Sequence, residues 1–492
     1  MKGQVMKKLF IFSFVILTLL LTSCAKVTVE EKIPEKEPGL QIQTFDMPEK
    51  EQYENYTFGK EGDKTVAEQR QEIKDGMDLA ISTKVTPSIK YYPEYKSDRE
   101  GYEYIDAITF DCLKIAENTV RTFAYLGFPE GASKDNPVPA VVLVTGGNGY
   151  PSMDWVKIWN DRGYAAICVS YNGYFPKAPG TVYYKERDIT GSFVHELTGD
   201  FYEEGFRRVP TQIFKPKYDE VENHWQYHAV SQLIFAHNVM IEDERVDSKN
   251  IGVSGIAWGG LTVTSLIGYD NRFSFAIPIY GHAYLGDEIR STSNFEKPYV
   301  DALWAAERNL DNATMPILWM AYSNDPCFAI PQHVNSYKHS LGQNPKNTLS
   351  LIGAGWSHSN NSAFAKIDPL VFADWVTFGK AGYVTFLTQP EGREVDCKIN
   401  IPENFEGEIQ AHICYLTSPM EYVKQGDNYY LKERFKTKKT ALTVDTENGT
   451  LKGTVPEDAK GYYVNLKFDV EGQSLYSSSI YVEIEDASKT VE

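Results

Sequence analysis

The stretch Ile251-Gly-Val-Ser-Gly-Ile-Ala-Trp-Gly-Gly260 decides how the rest of the chain is interpreted. Its apolar start predicts a strand, and the residues that follow predict a tight turn and then a helix. Glycine at positions 255, 259 and 260 leaves room for a sharp turn and close packing. This is the spacing of the G-x-S-x-G turn, which lifts a serine hydroxyl above a sheet. Here the central residue is Ala257, so the frame of the turn is present and the attacking oxygen is missing.

Buried strands and helices alternate around this turn. Continuously apolar runs at 139–144 and 165–170 predict strands that are buried on both faces. Helical patterns occupy 153–162 and 225–241. Three further strands and two further helices continue the series at 274–279, 316–320, 348–352, 331–340 and 368–378. This alternation predicts an α/β domain over 104–382, with a mainly parallel, doubly wound sheet and helices on both faces.

The chain changes character after Gly379. Apolar and polar residues alternate without a helical period, which predicts short antiparallel strands. Asn448-Gly449 lies between two of these strands and predicts a hairpin. We therefore predict a separate all-β sandwich of immunoglobulin-like type over 383–492. A packing or spacer role and a carbohydrate-binding role both fit this domain, and we favour the first.

A targeting segment begins the chain. Lys7 and Lys8 precede an apolar run too short for a membrane span, and Leu21-Thr-Ser-Cys24 follows it. The ending resembles a bacterial lipoprotein signal in which Cys24 is lipidated, and an ordinary secretion signal is the alternative. We expect residues 1–24 to be the signal peptide and residues 25–103 a charged tether and an extension packed on the next domain. The expected location is the cell envelope, lipid-anchored in the periplasm or at the outer-membrane surface.

Composition limits the partners. A length of 492 residues predicts two or three domains, and a formal net charge of −18 argues against a nucleic-acid partner. Of six cysteines, Cys24 belongs to the signal, so the odd remainder includes at least one free thiol. Cys397 and Cys414 could pair across neighbouring strands. No Cys-x-x-Cys or His-x-x-x-His spacing indicates a metal site, and we expect no metal and no cofactor.

Two polar residues follow later strands in the order that serine hydrolases use. That order is nucleophile, acid, histidine. Asp325 comes shortly after the strand at 316–320, and His358 comes after the strand at 348–352. An aspartate at this position can hold the imidazole in one tautomer, and the histidine can then reach the turn. A turn-forming aspartate and a surface histidine are the alternative interpretation.

An oxyanion hole needs two backbone N–H groups. One is expected from Trp258, directly after the centre of the turn. The other is expected from the loop Thr145-Gly-Gly-Asn-Gly149, where we favour Gly147. Glycines let this backbone approach a substrate oxygen, although a plain glycine turn would have the same sequence.

Together these stretches resemble the acetyl xylan esterase and dienelactone-hydrolase-like branch of the α/β-hydrolases, in its Bacteroidetes-type lipoprotein form. The resemblance covers about residues 104–380 and rests on 139–149, 155–166, 225–229, 252–260 and Asn324-Asp325. It implies that Asp325 is the acid, His358 the base, and Ala257 the occupant of the serine position. Thr145 departs from the His-Gly-Gly turn usual in the family. The alanine is either an engineered Ser-to-Ala substitution or a natural change, and we favour a natural change, because engineered proteins normally lack a signal segment and Thr145 departs from the family as well.

Three functions follow as hypotheses. The first is a carbohydrate-esterase-like hydrolase that removes acyl groups from acetylated glycans such as xylan, or from small esters. Ala257 predicts that this chain is inactive or strongly impaired in that reaction. The second is a non-catalytic protein of the cell surface that binds a glycan or another partner. A peptidase of the prolyl-oligopeptidase type is a weaker third, because the N-terminal propeller of that class is missing. Membrane contact is expected only through the lipid anchor.

Overall fold

A computed structural model describes residues 50–57, 63–97, 99–147, 150–173, 220–286, 300–353, 356–380, 382–403, 405–425, 428–435 and 440–484. The predicted signal peptide with Cys24, residues 25–49 of the predicted tether and extension, and residues 174–219 lie outside these ranges. Within them, no helix combines the length and the apolar character that crossing a bilayer requires.

The central sheet follows the predicted strands closely. Its first nine strands are β1 Lys90–Tyr91, β2 Asp106–Ile115, β3 Asn118–Gly127, β4 Val138–Val144, β5 Ala165–Val169, β6 Val246–Ile256, β7 Phe275–Ile279, β8 Leu318–Tyr322 and β9 Thr348–Ile352. They lie in the order β1-β2-β3-β5-β4-β6-β7-β8-β9. Strands β5, β4, β6, β7, β8 and β9 run parallel, while β1, β2 and β3 are antiparallel to their neighbours. The predicted α/β-hydrolase architecture is confirmed.

Seven α-helices are described. They are α1 Val66–Ser82, α2 Met153–Asp161, α3 Trp225–Glu242, α4 Trp258–Tyr269, α5 Ile330–Ser340, α6 Asn360–Phe364 and α7 Asp368–Phe378. Helix α3 packs on α4, and both contact β6. On α7, the buried Asp374 binds Arg162 at the end of α2 at 2.8 Å and accepts a hydrogen bond from Tyr164 at 3.0 Å. Two groups of helices thus enclose the parallel strands, whose side chains are almost entirely buried.

The N-terminal extension packs on the α/β part. Helix α1 starts with a capping box between Thr65 and Glu68. Its other end is held from α3, where Asn238 donates hydrogen bonds to the carbonyls of Ala80 at 2.8 Å and Thr83 at 2.9 Å. The short strand β1 pairs with β2 and extends the sheet at that edge.

The C-terminal residues form strands in two main sheets. These strands are β10 Thr385–Phe386, β11 Glu394–Asn400, β12 Ile409–Leu416, β13 Tyr422–Gln425, β14 Asn428–Leu431, β15 Thr443–Asp445, β16 Thr450–Thr454, β17 Gly461–Val470, β18 Gln473–Ser478 and β19 Val482–Glu483. One sheet has the order β10-β11-β16-β15, and the other contains β18, β17, β12 and β19. The predicted hairpin at Asn448-Gly449 joins β15 to β16, and Gly449 has φ +60°.

The sheet does not end at the predicted domain boundary between residues 382 and 383. Strand β18 pairs antiparallel with β9, opposing Ser478 to Leu349. Ser478 Oγ also accepts a hydrogen bond from the Leu351 N–H at 2.9 Å. The C-terminal strands therefore continue the ladder of the α/β part, and the division into separate domains stays a prediction.

The cysteines of the described residues are all free thiols. Cys397 lies on β11 and Cys414 on β12, which belong to different sheets, so the disulfide that the sequence left open is not formed. Burial raises the pKa of both thiols. Cys168 is fully buried on β5.

Candidate active site

Ala257 occupies the sharp turn that the sequence predicted. It lies directly between β6 and α4 and adopts φ +53° and ψ −115°. An alanine rarely adopts a positive φ, and such strain persists only where the surroundings enforce it. Two backbone bonds hold the turn: the Ala257 N–H donates to the Ile279 carbonyl at 2.8 Å, and the Ala257 carbonyl accepts from Leu261 N–H at 2.9 Å. The turn therefore keeps a strained geometry although its side chain is only a methyl group.

Glycines beside the turn leave the space that it needs, because they have no Cβ. A Cβ at Gly259 would lie 2.3 Å from the Val144 carbonyl oxygen, so only glycine allows α4 to start against the end of β4. A Cβ at Gly146 would lie 2.9 Å from the Cβ of Ala257. The Ala257 side chain itself is 6% exposed. The glycines that the sequence singled out therefore make room for the turn.

Asp325 and His358 form the predicted pair. Asp325 Oδ2 and His358 Nδ1 lie 2.7 Å apart, and Asp325 is 2% exposed. The other oxygen, Oδ1, accepts hydrogen bonds from the backbone N–H groups of Cys327 at 2.6 Å and Phe328 at 2.9 Å. Both carboxylate oxygens therefore have partners, and one of them orients the imidazole. This is the contact through which an aspartate selects the tautomer of a catalytic histidine.

The surroundings of Asp325 keep it ionised. Burial alone raises the pKa of this carboxyl group, because it disfavours the charged form. The charge of His358, its hydrogen bond and the two backbone donors outweigh burial and hold the pKa below its usual value. At neutral pH the group is thus a carboxylate, which can stabilise an imidazolium on His358 during proton transfer.

Two aromatic residues that the sequence did not indicate hold His358. The Tyr280 ring stacks on the imidazole with centroids 4.6 Å apart, and the Phe328 ring lies 5.6 Å away. The Tyr280 hydroxyl donates a hydrogen bond to the Ser357 carbonyl at 2.7 Å, directly before the histidine. Tyr280 also has a positive φ of +55°. Its position after β7 could have drawn attention to it, but its contact with His358 could not be foreseen.

Shared neighbours bring Ala257 and His358 to one place. The N–H of Ala257 binds the Ile279 carbonyl, and the next residue, Tyr280, stacks on His358. On the other side, Phe328 lies between Trp258 and His358, with a centroid distance of 6.3 Å to Trp258. All three predicted positions follow the carboxyl ends of parallel strands, where α/β proteins bind ligands.

The predicted oxyanion donors lie at the same edge. Trp258 is the first residue of α4 and directly follows Ala257, so its N–H lies at the start of that helix. Gly147 follows β4, is exposed and has φ +65°. The N–H of the neighbouring Gly146 instead donates to Asn360 Oδ1 at 3.2 Å, an interaction that no sequence signal indicated. Gly147 therefore remains the candidate on this loop, and its role stays a prediction.

At the position of Thr145, the family that the sequence resembles usually has a histidine. Its hydroxyl donates a hydrogen bond to the Tyr150 carbonyl, and its side chain is buried. The threonine thus ties the two sides of the loop that bears Gly147 together. We infer a local structural role for Thr145 rather than contact with a substrate.

A set of metal-ligand atoms also occurs at this edge. Among the residues that the structure describes, Asp325, Cys327 and His358 each offer one such atom, and these atoms lie within 4.8 Å of one another. The sequence predicted no metal, because these residues match none of the usual ligand spacings. The fold brings together ligands that come from two different loops.

Comparison with known proteins gives structural neighbours only. No protein-family model matches the sequence, and no curated protein matches it either. An acetyl xylan esterase from Paenibacillus sp. R4 is similar in structure, with 16% identity over 64% of this chain and 95% of that protein, and a TM-score of 0.42. Acetyl xylan esterase 1 from Thermoanaerobacterium sp. JW/SL YS485 has 13% identity over 67% of this chain and 99% of its own, and a TM-score of 0.41. A glucuronoyl esterase from Solibacter usitatus has 13% identity over 63% of this chain and 92% of its own, and a TM-score of 0.39.

Proposed function

We propose that this chain has the frame of a serine esterase for acylated glycans or small esters and that Ala257 abolishes or severely impairs its hydrolytic activity. One observation carries the proposal: a strained turn with φ +53° at Ala257 faces the same edge as an Asp325–His358 pair joined at 2.7 Å. The pair has the arrangement of an acid and a base, and the turn has the arrangement that presents a nucleophile. A hydroxyl at residue 257 is the missing part.

The size of the impairment can be estimated from serine proteases. Removing the serine of subtilisin lowers kcat by about 2 × 10⁶. At about 1.36 kcal/mol for each tenfold change, this corresponds to roughly 8–9 kcal/mol of activation free energy. An oxyanion hole and substrate binding alone still accelerate such reactions by about 10³–10⁴ over water. We therefore expect little or no turnover from the chain as written.

A partly exposed aromatic side chain next to the turn supports a sugar-bearing substrate. Trp258 is partly exposed directly after Ala257, and the buried rings of Trp225 and Phe328 support it, with ring centroids 6.2 Å and 6.3 Å from its own. Large aromatic side chains with one polar atom suit surfaces that are partly apolar and partly wet, as sugar rings are. Acetyl groups on such a sugar are the acyl class that we propose.

Restoring the hydroxyl tests this proposal. Hydrolysis of an aryl acetate and of acetylated xylo-oligosaccharides is measured for the wild-type chain, Ala257→Ser, and Ala257→Ser combined with His358→Ala. We expect Ala257→Ser to raise kcat/KM by several orders of magnitude and the added His358→Ala to remove the gain. The catalytic interpretation fails if folded Ala257→Ser protein hydrolyses neither substrate faster than the double variant does.

A second candidate is a non-catalytic binding protein. The observation that favours it is that the strained turn and the Asp325–His358 pair are kept around a methyl group. Calorimetry with acetylated xylo-oligosaccharides and their deacetylated forms tests this candidate in the wild-type chain. Binding of the acetylated form alone, without hydrolysis, supports it. No binding heat with either form, together with measurable ester hydrolysis, rejects it.

We further propose that Cys24 anchors the protein to the cell envelope through a lipid, on the periplasmic or outer-membrane side. The support is the sequence Leu21-Thr-Ser-Cys24 after a short apolar run with two lysines before it. Incorporation of labelled palmitate into the wild-type chain, and its loss in Cys24→Ser, is the expected result. Equal labelling of both chains would exclude Cys24 as the lipidated residue.

A further inference from the structure

Cys327 lies beside the Asp325–His358 pair and adds a third kind of metal ligand. A carboxylate oxygen of Asp325, Sγ of Cys327 and a ring nitrogen of His358 lie within 4.8 Å of one another. Asp325 is fully buried, whereas Cys327 and His358 are partly exposed. Carboxylate, thiolate and imidazole are the ligands that zinc takes in proteins, and three protein ligands leave its fourth position open.

Small movements would turn this cluster into a coordination sphere. Tetrahedral zinc with bonds of about 2.0–2.3 Å separates its ligand atoms by roughly 3.3–3.6 Å. Oδ2 of Asp325 and Nδ1 of His358 are 2.7 Å apart, so a metal ion bound between them, with the imidazole proton on Nε2, opens this contact by only about 0.6 Å. The remaining pairs are separated by at most 4.8 Å, so they close by about 1.5 Å or less. Rotation of the Cys327 side chain can supply the larger of these shifts.

The surroundings orient the ligands. Oδ1 of Asp325 is held by the N–H groups of Cys327 and Phe328 at 2.6 Å and 2.9 Å, which leaves Oδ2 to face the imidazole. The rings of Tyr280 and Phe328 flank His358 and limit its rotation. Hydrogen bonds to ligating carboxylates and an apolar surround are common features of protein metal sites.

We propose that Asp325, Cys327 and His358 bind a thiophilic divalent cation of the zinc type, with one coordination position left to water. The ion binds Asp325 and His358, which ester hydrolysis by a serine at residue 257 would need as acid and base. Metal binding and serine-dependent hydrolysis therefore exclude each other at this edge. Because the side chain of Ala257 has no hydroxyl, nothing at residue 257 requires the free imidazole. The metal site does not depend on the proposed esterase function.

Cobalt titration of the full chain tests the site directly. Chelator-treated protein is titrated with Co²⁺, and absorption from thiolate-to-cobalt charge transfer is recorded, followed by displacement with Zn²⁺. We expect one equivalent to bind with a thiolate band and with release of the Cys327 thiol proton, because the metal ligand is the thiolate. Cys327→Ser should remove the band and weaken zinc binding by more than the 10–100-fold typical of an outer-sphere change. The control Cys397→Ser alters a buried thiol on β11 and should keep the band.

Three outcomes overturn the metal site: no thiolate band, a band that survives Cys327→Ser, or zinc binding that Asp325→Asn and His358→Asn leave unchanged. Circular dichroism of each variant shows that it is folded, and the three substitutions together prevent a single misfolded variant from deciding the result. A second arm uses Ala257→Ser, in which zinc should inhibit any hydrolysis and added chelator should restore it. Absence of hydrolysis in Ala257→Ser would count against the esterase proposal, while the cobalt spectrum of the wild-type chain would still decide the metal site.

Discussion

The turn at Ala257 and the loops that carry Asp325 and His358 lie at one edge of the sheet. The turn retains only a backbone geometry, whereas the loops retain reactive side chains. The turn keeps a costly backbone geometry and has no reactive atom. The loops keep the 2.7 Å contact between two reactive side chains and the backbone donors that orient the carboxylate. The difference shows that packing maintains backbone strain independently of chemistry, because neighbouring glycines and carbonyls, not a hydroxyl, hold the turn.

The largest expected effect is on kcat. It follows a substitution of Asp325 after a serine hydroxyl has been restored at residue 257. In the Ala257→Ser background, Asp325→Asn should lower kcat by about 10⁴, as loss of the corresponding aspartate does in a serine protease. The amide cannot stabilise the imidazolium, and it favours the wrong tautomer of His358. Steady-state kinetics with an aryl acetate measures the effect. A drop of less than tenfold would show that Asp325 is a turn former that does not assist His358.

The turn can be broken without touching any reactive group. Gly259→Ala places a Cβ 2.3 Å from the Val144 carbonyl oxygen and 2.7 Å from that of Thr145, and backbone atoms cannot move aside cheaply. We expect a loss of about 3 kcal/mol or more in the free energy of unfolding, at the upper end for overpacking substitutions. Urea denaturation of the wild-type chain and the variant measures it.

The matched control for this substitution lies in the other region. Gly353→Ala on the loop that leads to His358 would bring its Cβ no closer than 3.7 Å to its nearest neighbour, Ser323 Oγ. We expect Gly353→Ala to change the free energy of unfolding by less than about 1 kcal/mol, because ordinary contact adds little strain. Equal destabilisation by both variants would show that close packing is not specific to the turn.

Mild acid should lower the stability of the protein through a buried histidine in the helices behind the turn, and not through the Asp325–His358 pair. Helix α3 packs on α4, which starts at the turn, and α3 contains the buried His237, whose ring lies 4.3 Å from that of Phe273. Burial lowers the pKa of His237 to about 4, against about 6.5 in an unfolded chain. As the pH falls from about 6.5 toward 4, the unfolded chain takes up the proton first, so stability present at neutral pH is lost.

The titration of His237 should lower the free energy of unfolding by about 3 kcal/mol across that pH window. His237→Phe keeps an aromatic ring against Phe273 and removes the titration. The measurement is urea denaturation of both chains at pH 7 and near pH 4.5, where the variant should lose less stability than the wild-type chain. Identical losses would show that His237 does not contribute to acid sensitivity. His228 on the same helix also has its pKa lowered to about 4 by burial, so the variant should keep part of the sensitivity.

Local patterns explain which features the sequence could predict. The strands and helices of the α/β part came from apolar runs and periodicity, which each segment carries alone, and the structure confirms them closely. Asp325 and His358 could be named because the ends of parallel strands meet at one edge, so order along the chain is enough. Ala257 could be located because glycine spacing around a strained turn is itself local.

Contacts between distant loops account for the features that the sequence could not predict. Tyr280 stacks on His358, and Asn360 accepts a hydrogen bond from Gly146, across separations at which no spacing rule applies. Cys327 lies close to Asp325 in sequence, but its proximity to His358 depends on β8 and β9 lying side by side. The pairing of β18 with β9 was missed for the same reason, because alternation predicts a strand and not its partner.

The smallest expected effect on catalysis concerns Tyr280, which links the two regions. Its N–H donates to the Met320 carbonyl at 2.7 Å, its ring stacks on His358, and its hydroxyl donates to the Ser357 carbonyl at 2.7 Å. Tyr280→Phe keeps the ring and removes only the last bond, which should cost about 1 kcal/mol of stability. In the Ala257→Ser background the looser loop should lower kcat by several-fold and leave KM nearly unchanged, because the hydroxyl positions His358 and contacts no substrate. A variant that raises KM but keeps kcat would show instead that Tyr280 acts in substrate binding.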